Sequence, residues 1–394
     1  MRATAQTTHR PPSTHAVAAP LRAVPSAGAP TPRSRIAALD AARALGVVAM
    51  VFGHTLDALL STDLRTTPLV DLYWKARGFT APLFLMVSGW AVSVAISRGR
   101  ARGLDIPRGR VGRVLLLLCI GYALRWPGWG LDRLAAGDTE VWAHLLSFDA
   151  LHTIAIALLT ASLVLALPWS RREQAWAFGA LAVLCVALGM LAPAPLVPSA
   201  AVLARPVPAL ALTQALGGTS PFPVFPWAAY FFVGGLVGLL AGAGGGRSAA
   251  SMAVIGAALV AGTMWTGVEE MPMGHPLLFT FRSGVVLLAL AALSKVPATA
   301  AARLAPIGRA SLGVYAIHVP IVYGWSTYAG LTARVGPHLG VGRALLVACA
   351  VLAASFALHL AFQQARRSVV VGARWTWERV GAVRGAGRAE IESE

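Results

Sequence analysis

Charge is the first thing this sequence has little of. Only 12% of its 394 residues are Asp, Glu, Lys or Arg, against 57% hydrophobic. A soluble domain needs far more polar surface, so that class is excluded and a multi-span membrane protein is indicated. Cysteine is nearly as scarce: Cys119, Cys185 and Cys349 each sit inside an apolar run. That excludes a disulfide framework and a thiolate metal site and leaves them as small apolar fillers. Zinc spacing, a glycine-rich phosphate loop, a serine-nucleophile elbow and a dinucleotide fingerprint are all missing too. Residues 1–37 are rich in Pro, Ala, Thr and Arg and lack an apolar core. They do not make a cleaved signal peptide and read as a disordered cytoplasmic tail.

Long apolar stretches are what the sequence does have. Ten are expected to span the membrane, roughly 38–60, 79–97, 111–127, 149–167, 174–192, 223–242, 248–266, 276–294, 309–330 and 342–365. The fold class is therefore all-α, a polytopic integral membrane helix bundle of about ten helices. The net charge of +17 would suit nucleic acid if it formed one patch on a soluble domain. With alternate connections assigned inside, beginning with the N-terminal tail, about two thirds of the Lys and Arg fall on the inside. Arg98 to Arg110, Arg171, Arg172, Lys295 to Arg309 and the tail from Arg366 all follow this bias. Both termini are thus expected in the cytoplasm, with no nucleic-acid partner. Three regions result: a tail over 1–37, one transmembrane domain over 38–365, and a basic cytoplasmic tail over 366–394. The prolines of PAPLVP, ARPVPAL and SPFPVFPW interrupt any helix between the fifth and sixth spans.

The first span, LDAARALGVVAMVFGHTLDALL over residues 39–60, carries Asp40, Arg43, His54 and Asp57. Ionisable groups in hydrocarbon are costly unless they face protein or water, so each is a functional suspect. Arg43 and His54 are eleven residues apart; at ~100° and ~1.5 Å per residue they leave nearly the same helix face, ~16 Å apart. Asp40 can reach Arg43, and Asp57 can reach His54, as i,i+3 neighbours. The simplest structural alternative has Arg43 snorkelling to the interface and His54 hydrogen-bonding across helices.

Other spans add to the set. In IPRGRVGRVLLLL, Arg110 and Arg113 are i,i+3 at the head of the third span, and with Arg43 would form a cationic mouth suited to phosphates. APLFLMVSGWAVS in the second span combines Pro82 with the small residues Ser88 and Gly89 and is expected to serve packing. FDALHTIAIALL places Asp149 and His152 i,i+3 near the outer face, equally readable as a structural pair. GHPLLFTFR puts His275 near an outer end and Arg282 seven residues deeper on one face. IGRASLGVYAIHVP holds His318 near mid-membrane, a position more often structural than catalytic.

These residues resemble a known family. The spacing of Arg43 and His54, followed by Arg110 and Arg113, resembles the membrane acyltransferase 3 family. RIAALDAARALGVVAMVFGH, APLFLMVSGW, FDALHTIAIALL and FPVFPWAAYFFVGG are similar to the heparan-alpha-glucosaminide N-acetyltransferase catalytic-domain family. One departure from the latter is Ala44, where glycine commonly follows the arginine. The resemblance runs from about residue 35 to about 330. It implies transfer of an acyl group, usually acetyl, from cytoplasmic acyl-CoA to a hydroxyl or amine at the opposite face, the acceptor being a glycan or another small molecule. No tightly bound cofactor or metal is implied; acyl-CoA is a co-substrate, and membrane lipids surround the protein.

By that resemblance His54 is the catalytic histidine, and its i,i+3 neighbour Asp57 is a candidate orienting partner. Arg43, Arg110 and Arg113 are donor-binding candidates, and Asp149, His152, His275, Arg282 and His318 are substrate-binding candidates. A multi-pass protein of the plasma membrane follows; a homo-oligomer is allowed but not read from the sequence. The alternative class is a transporter that uses the same buried charges to carry a polar solute.

Overall fold

The computed structural model describes residues 36–100, 107–128, 130–191, 206–217, 219–242 and 246–391. The expected tail over 1–37 lies almost wholly outside the described residues, as do Pro193, Pro195 and Pro198. Pro206 and Pro208 do not interrupt a helix but begin one, Val207–Leu216, where a missing N–H costs nothing. Sixteen α-helices are present among the described residues. They are α1 (Ala37–Leu59), α2 (Pro68–Arg77), α3 (Thr80–Arg100), α4 (Pro107–Leu124), α5 (Leu131–Ala135), α6 (Thr139–Leu146), α7 (Ala150–Ala166) and α8 (Arg171–Leu191). Then come α9 (Val207–Leu216), α10 (Val224–Ala241), α11 (Gly246–Thr263), α12 (Pro276–Leu293), α13 (Ala298–Arg309), α14 (Ser311–Tyr323), α15 (Leu331–Val335) and α16 (Val341–Ile391). Extended pairing among the described residues is confined to isolated bridges such as Leu60 with Leu339.

This is the expected all-α polytopic membrane bundle, and each of the ten apolar segments coincides with a helix. On length and composition, 7 helical stretches can cross a membrane, and 8 if α6 and α7, bent by 56° at their junction, form one broken span. The other two expected spans fall short for physical reasons. The first two turns of α4 carry Arg108, Arg110 and Arg113. The apolar α14 has 13 residues, so it is ~20 Å long at ~1.5 Å per residue against ~30 Å of hydrocarbon.

Close packing holds the bundle together, because lipid offers little hydrophobic drive for helix association. The tightest crossing is α3 on α10. A Cβ on Gly89 would overlap the Phe231 carbonyl, and one on Gly234 would overlap the Met86 carbonyl. Trp90, fully buried in this contact, donates its indole N–H to the Gly242 carbonyl at 3.0 Å, satisfying the end of α10. Helix α8 packs on the other side of α10, α11 packs on α12, and α4 on α7. Helix α1 is held by α13, α16, α15 and α14 together with α3. Gly308 of α13 lets that helix approach the backbone of Asp40 and Ala44 directly. The element bearing the ionisable stripe is therefore enclosed by protein along most of its length.

Gly234→Val should abolish a monodisperse, cooperatively unfolding protein, because its side chain meets backbone and not a movable group. Gly262→Ala, in open space on α11, should be neutral or stabilise by up to about 1 kcal/mol. Thermal unfolding of the two purified variants in detergent checks both.

Candidate functional site

Enclosure of α1 creates a cavity of about 800 Å³. Arg43 and His54 both line it, so the helical stripe faces a shared interior and not lipid. Arg110 and Arg113 of α4 line the same cavity, as does Arg309 at the end of α13. Arg43 lies near enough to Arg113 for their charges to interact, and Arg113 likewise to Arg110. Asp40 compensates one of them, at 3.7 Å from Arg43 as the i,i+3 spacing anticipates. Two further arginines, Arg77 and Arg282, line the cavity around Gly78, near His54. Among the described residues that line it, none is an Asp or Glu. The cavity thus has an arginine group at each end of the α1 stripe, and an imidazole beside the second group.

His54 is bound to His318. The Nδ1 atom of His54 is 2.9 Å from Nε2 of His318, and their rings stack with centroids 5.1 Å apart. The other nitrogen of His318, Nδ1, is 2.8 Å from the Val314 carbonyl oxygen. A carbonyl only accepts, so His318 Nδ1 carries the hydrogen and, in the neutral ring, Nε2 accepts. His54 Nδ1–H must then donate to it, which leaves His54 Nε2 with its lone pair free. This tautomer follows from the hydrogen-bond network. A side-chain base with an unoccupied lone pair, on a ring whose other nitrogen is held, is what proton abstraction requires. Tyr323 packs edge-on against His54 with centroids 5.6 Å apart, and Tyr315 does the same to His318 at 5.6 Å.

The structure gives several of the expected site residues other partners. Asp57 does not orient His54; it binds Arg77 at 3.4 Å and Arg65 at 3.9 Å. Two guanidiniums on the neighbouring turn and helix outcompete a neutral imidazole for a carboxylate. Asp149 and His152 do not line the cavity. Asp149 is the N-cap of α7, accepting from the backbone of Leu151 and His152, and His152 Nδ1 closes the capping box by accepting from the Asp149 backbone N–H at 3.2 Å. His152 is fully buried between Phe148 and Tyr122. Helix ends demand such caps, and this pair supplies one. His275 likewise caps α12, accepting from the Leu277 N–H at 3.2 Å, and is not part of the cavity lining. His318 is in place, but it supports His54 from behind and has no exposure of its own.

Sequence reading missed Arg77 and Arg309. Arg77 was placed in an outside connection, yet α2 is a helix that carries it inward; the Trp74–Arg77 i,i+3 pair, with Arg77 5.1 Å over the Trp74 ring, was the available signal. Arg309 was counted with its loop and offers no separate signal.

The chain belongs to the acyltransferase 3 family: the model of that family, described as an acyltransferase domain, matches residues 36–360. This places it in a class of membrane acyltransferases. The match is to the first of the two families resembled and lends nothing to the second. No match is found among curated proteins.

Isotope-edited NMR of the imidazole nitrogens should show His54 protonated at Nδ1 and bare at Nε2. In His318→Leu that single tautomer should give way to a mixture, while an unchanged His54 pattern would break the network assignment.

Proposed function

We propose that the protein transfers an acyl group, acetyl in the simplest case, from cytoplasmic acyl-CoA to a hydroxyl or amine of a glycan or other acceptor on the far side of the plasma membrane. The observation that carries this reading is the single cavity joining Arg43, Arg110 and Arg113 to the free nitrogen of His54. Guanidinium forks suit the phosphates of CoA. Arg309 adds a fourth positive group at that end. The span from Arg43 to His54, ~16 Å along α1, suits an extended pantetheine arm, whose thioester then lies beside the imidazole. The positive-inside bias orients the arginine-rich end of α1 to the cytoplasm, with both chain termini on that side.

The chemistry balances without a further reactant. His54 Nε2 takes the proton from the acceptor as its oxygen or nitrogen attacks the thioester carbonyl. The new C–O or C–N bond forms, the tetrahedral centre collapses, and the C–S bond breaks. His54 then returns the proton to the departing thiolate. His318 acts as a positioning residue: its lone pair receives the Nδ1–H of His54 throughout and helps hold the imidazolium when it forms. This is the geometric part a carboxylate plays behind the histidine of a serine hydrolase, performed here by a neutral ring tied to the Val314 carbonyl. Asp57 keeps Arg77 in the wall.

Purified protein given acetyl-CoA and a panel of glycans should release free CoA thiol in step with acceptor acylation. His54→Ala should lower that rate ~100- to 10,000-fold, the usual worth of a general base, with donor binding retained. Full activity in that variant would remove His54 from the reaction. Arg113→Ala should weaken CoA binding by about tenfold or more, as loss of a charge-assisted hydrogen bond does. Solute flux without acyl-CoA, and no thiol release, would instead favour transport.

A further inference from the structure

We propose that the His54 end of the cavity is an oxyanion subsite centred on Arg282, which selects acceptors bearing a carboxylate or phosphate near the group to be acylated. That the ligand is the acceptor rests on the acyl-transfer reading; that the site takes an oxyanion does not.

The two arginines at this end differ in what they already hold. Arg77 is compensated, with Asp57 at 3.4 Å and the Trp74 ring beneath it. Arg282 has neutral partners among the described residues: its Nη1 donates to the Met273 sulfur at 2.9 Å, and it interacts with the Tyr230 phenol. A thioether is a weak acceptor, so most of the five N–H donors of the guanidinium remain for a ligand. Among the described residues no Asp or Glu lines the cavity, and the carboxylates behind its wall are taken, Asp57 by Arg77 and Asp40 by Arg43. An uncompensated cation in a partly apolar cavity is unfavourable, and a bound oxyanion removes that penalty through two parallel hydrogen bonds.

The chain also makes room for this group. Gly78, at the turn between α2 and α3, lies under Arg282, and a Cβ there would be 3.2 Å from Nη2. The guanidinium therefore lies along the cavity wall, where even a methyl group on residue 78 would press on it. The donor's phosphates do not account for it, because the arginines proposed to hold them lie around Arg43, ~16 Å away along α1. Arg282 and Arg77 flank the reacting end, where the acceptor must present its nucleophile.

The test is binding to the purified full chain with CoA at saturation, which fills the Arg43 end. Three probes are compared: the methyl glycoside of glucuronic acid, glucose 6-phosphate, and neutral methyl glucoside. At least one anionic sugar should raise the unfolding temperature above the neutral one, and which of the two does so separates a carboxylate from a phosphate. In Arg282→Gln that increment should vanish, with affinity for the anion reduced about tenfold or more; Arg282→Lys should recover part of it, keeping charge without the fork. If neither anion outperforms the neutral sugar, or Arg282→Gln responds as the wild type does, the subsite is overturned. The wild-type comparison stands by itself should the variants misfold. Thiol release measured on the same samples reports separately on acyl transfer, so the two readings fail independently.

Discussion

A guanidinium and an imidazole on one apolar helix cannot both be left to lipid. Arg43 and His54 occupy nearly the same face of α1, and in hydrocarbon each would forfeit several kcal/mol of hydration. The bundle answers by surrounding α1 with α13, α14, α16 and α3 and leaving an internal cavity along the stripe. Small residues make this enclosure close. Gly308 brings α13 onto the α1 backbone beside Arg43. On the opposite flank Gly89 and Gly234 fuse α3 to α10, so that α3 presents Phe84, Ser88 and Val92 to the same space.

Within that enclosure, hydrogen-bond direction does more than proximity. The Val314 carbonyl can only accept, and this one fact propagates through His318 to set which nitrogen of His54 is free. The neutral relay has a consequence for Asp57. With His318 holding His54, both oxygens of Asp57 go to cations, Oδ2 to Arg77 and Oδ1 to Arg65. The positive charge that lines the cavity is thus partly compensated, at Arg43 by Asp40 and at Arg77 by Asp57. Among the described residues no lining carboxylate compensates it at Arg110, Arg113, Arg282 and Arg309. A cavity of this kind is built for negatively charged occupants at both ends.

How much of this was legible depended on whether the relevant interaction was local. Helical period is local, so the shared face of Arg43 and His54 and the Asp40–Arg43 pair could be read directly. The same i,i+3 rule failed for Asp57, because reach along one helix does not say which neighbour from another will compete. It held for Asp149 and His152 as a contact, and the pair closes a helix end. His275 likewise caps a helix, and an N-cap histidine and a binding histidine have the same sequence neighbourhood. Arg77 was hidden because α2 is amphipathic and short, and only its packing against α1 turns it inward.

From composition and periodicity alone came the membrane, the all-helical class, the stripe on α1 and the arginines of α4, because each rests on the cost of burying charge and on the fixed pitch of a helix. The partner of His54, the tautomer it imposes, the duty of each carboxylate and the second arginine group came only with tertiary structure. These join residues as far apart as His54 and His318, and no local rule specifies which of several capable partners a packed bundle brings within 3 Å of one another.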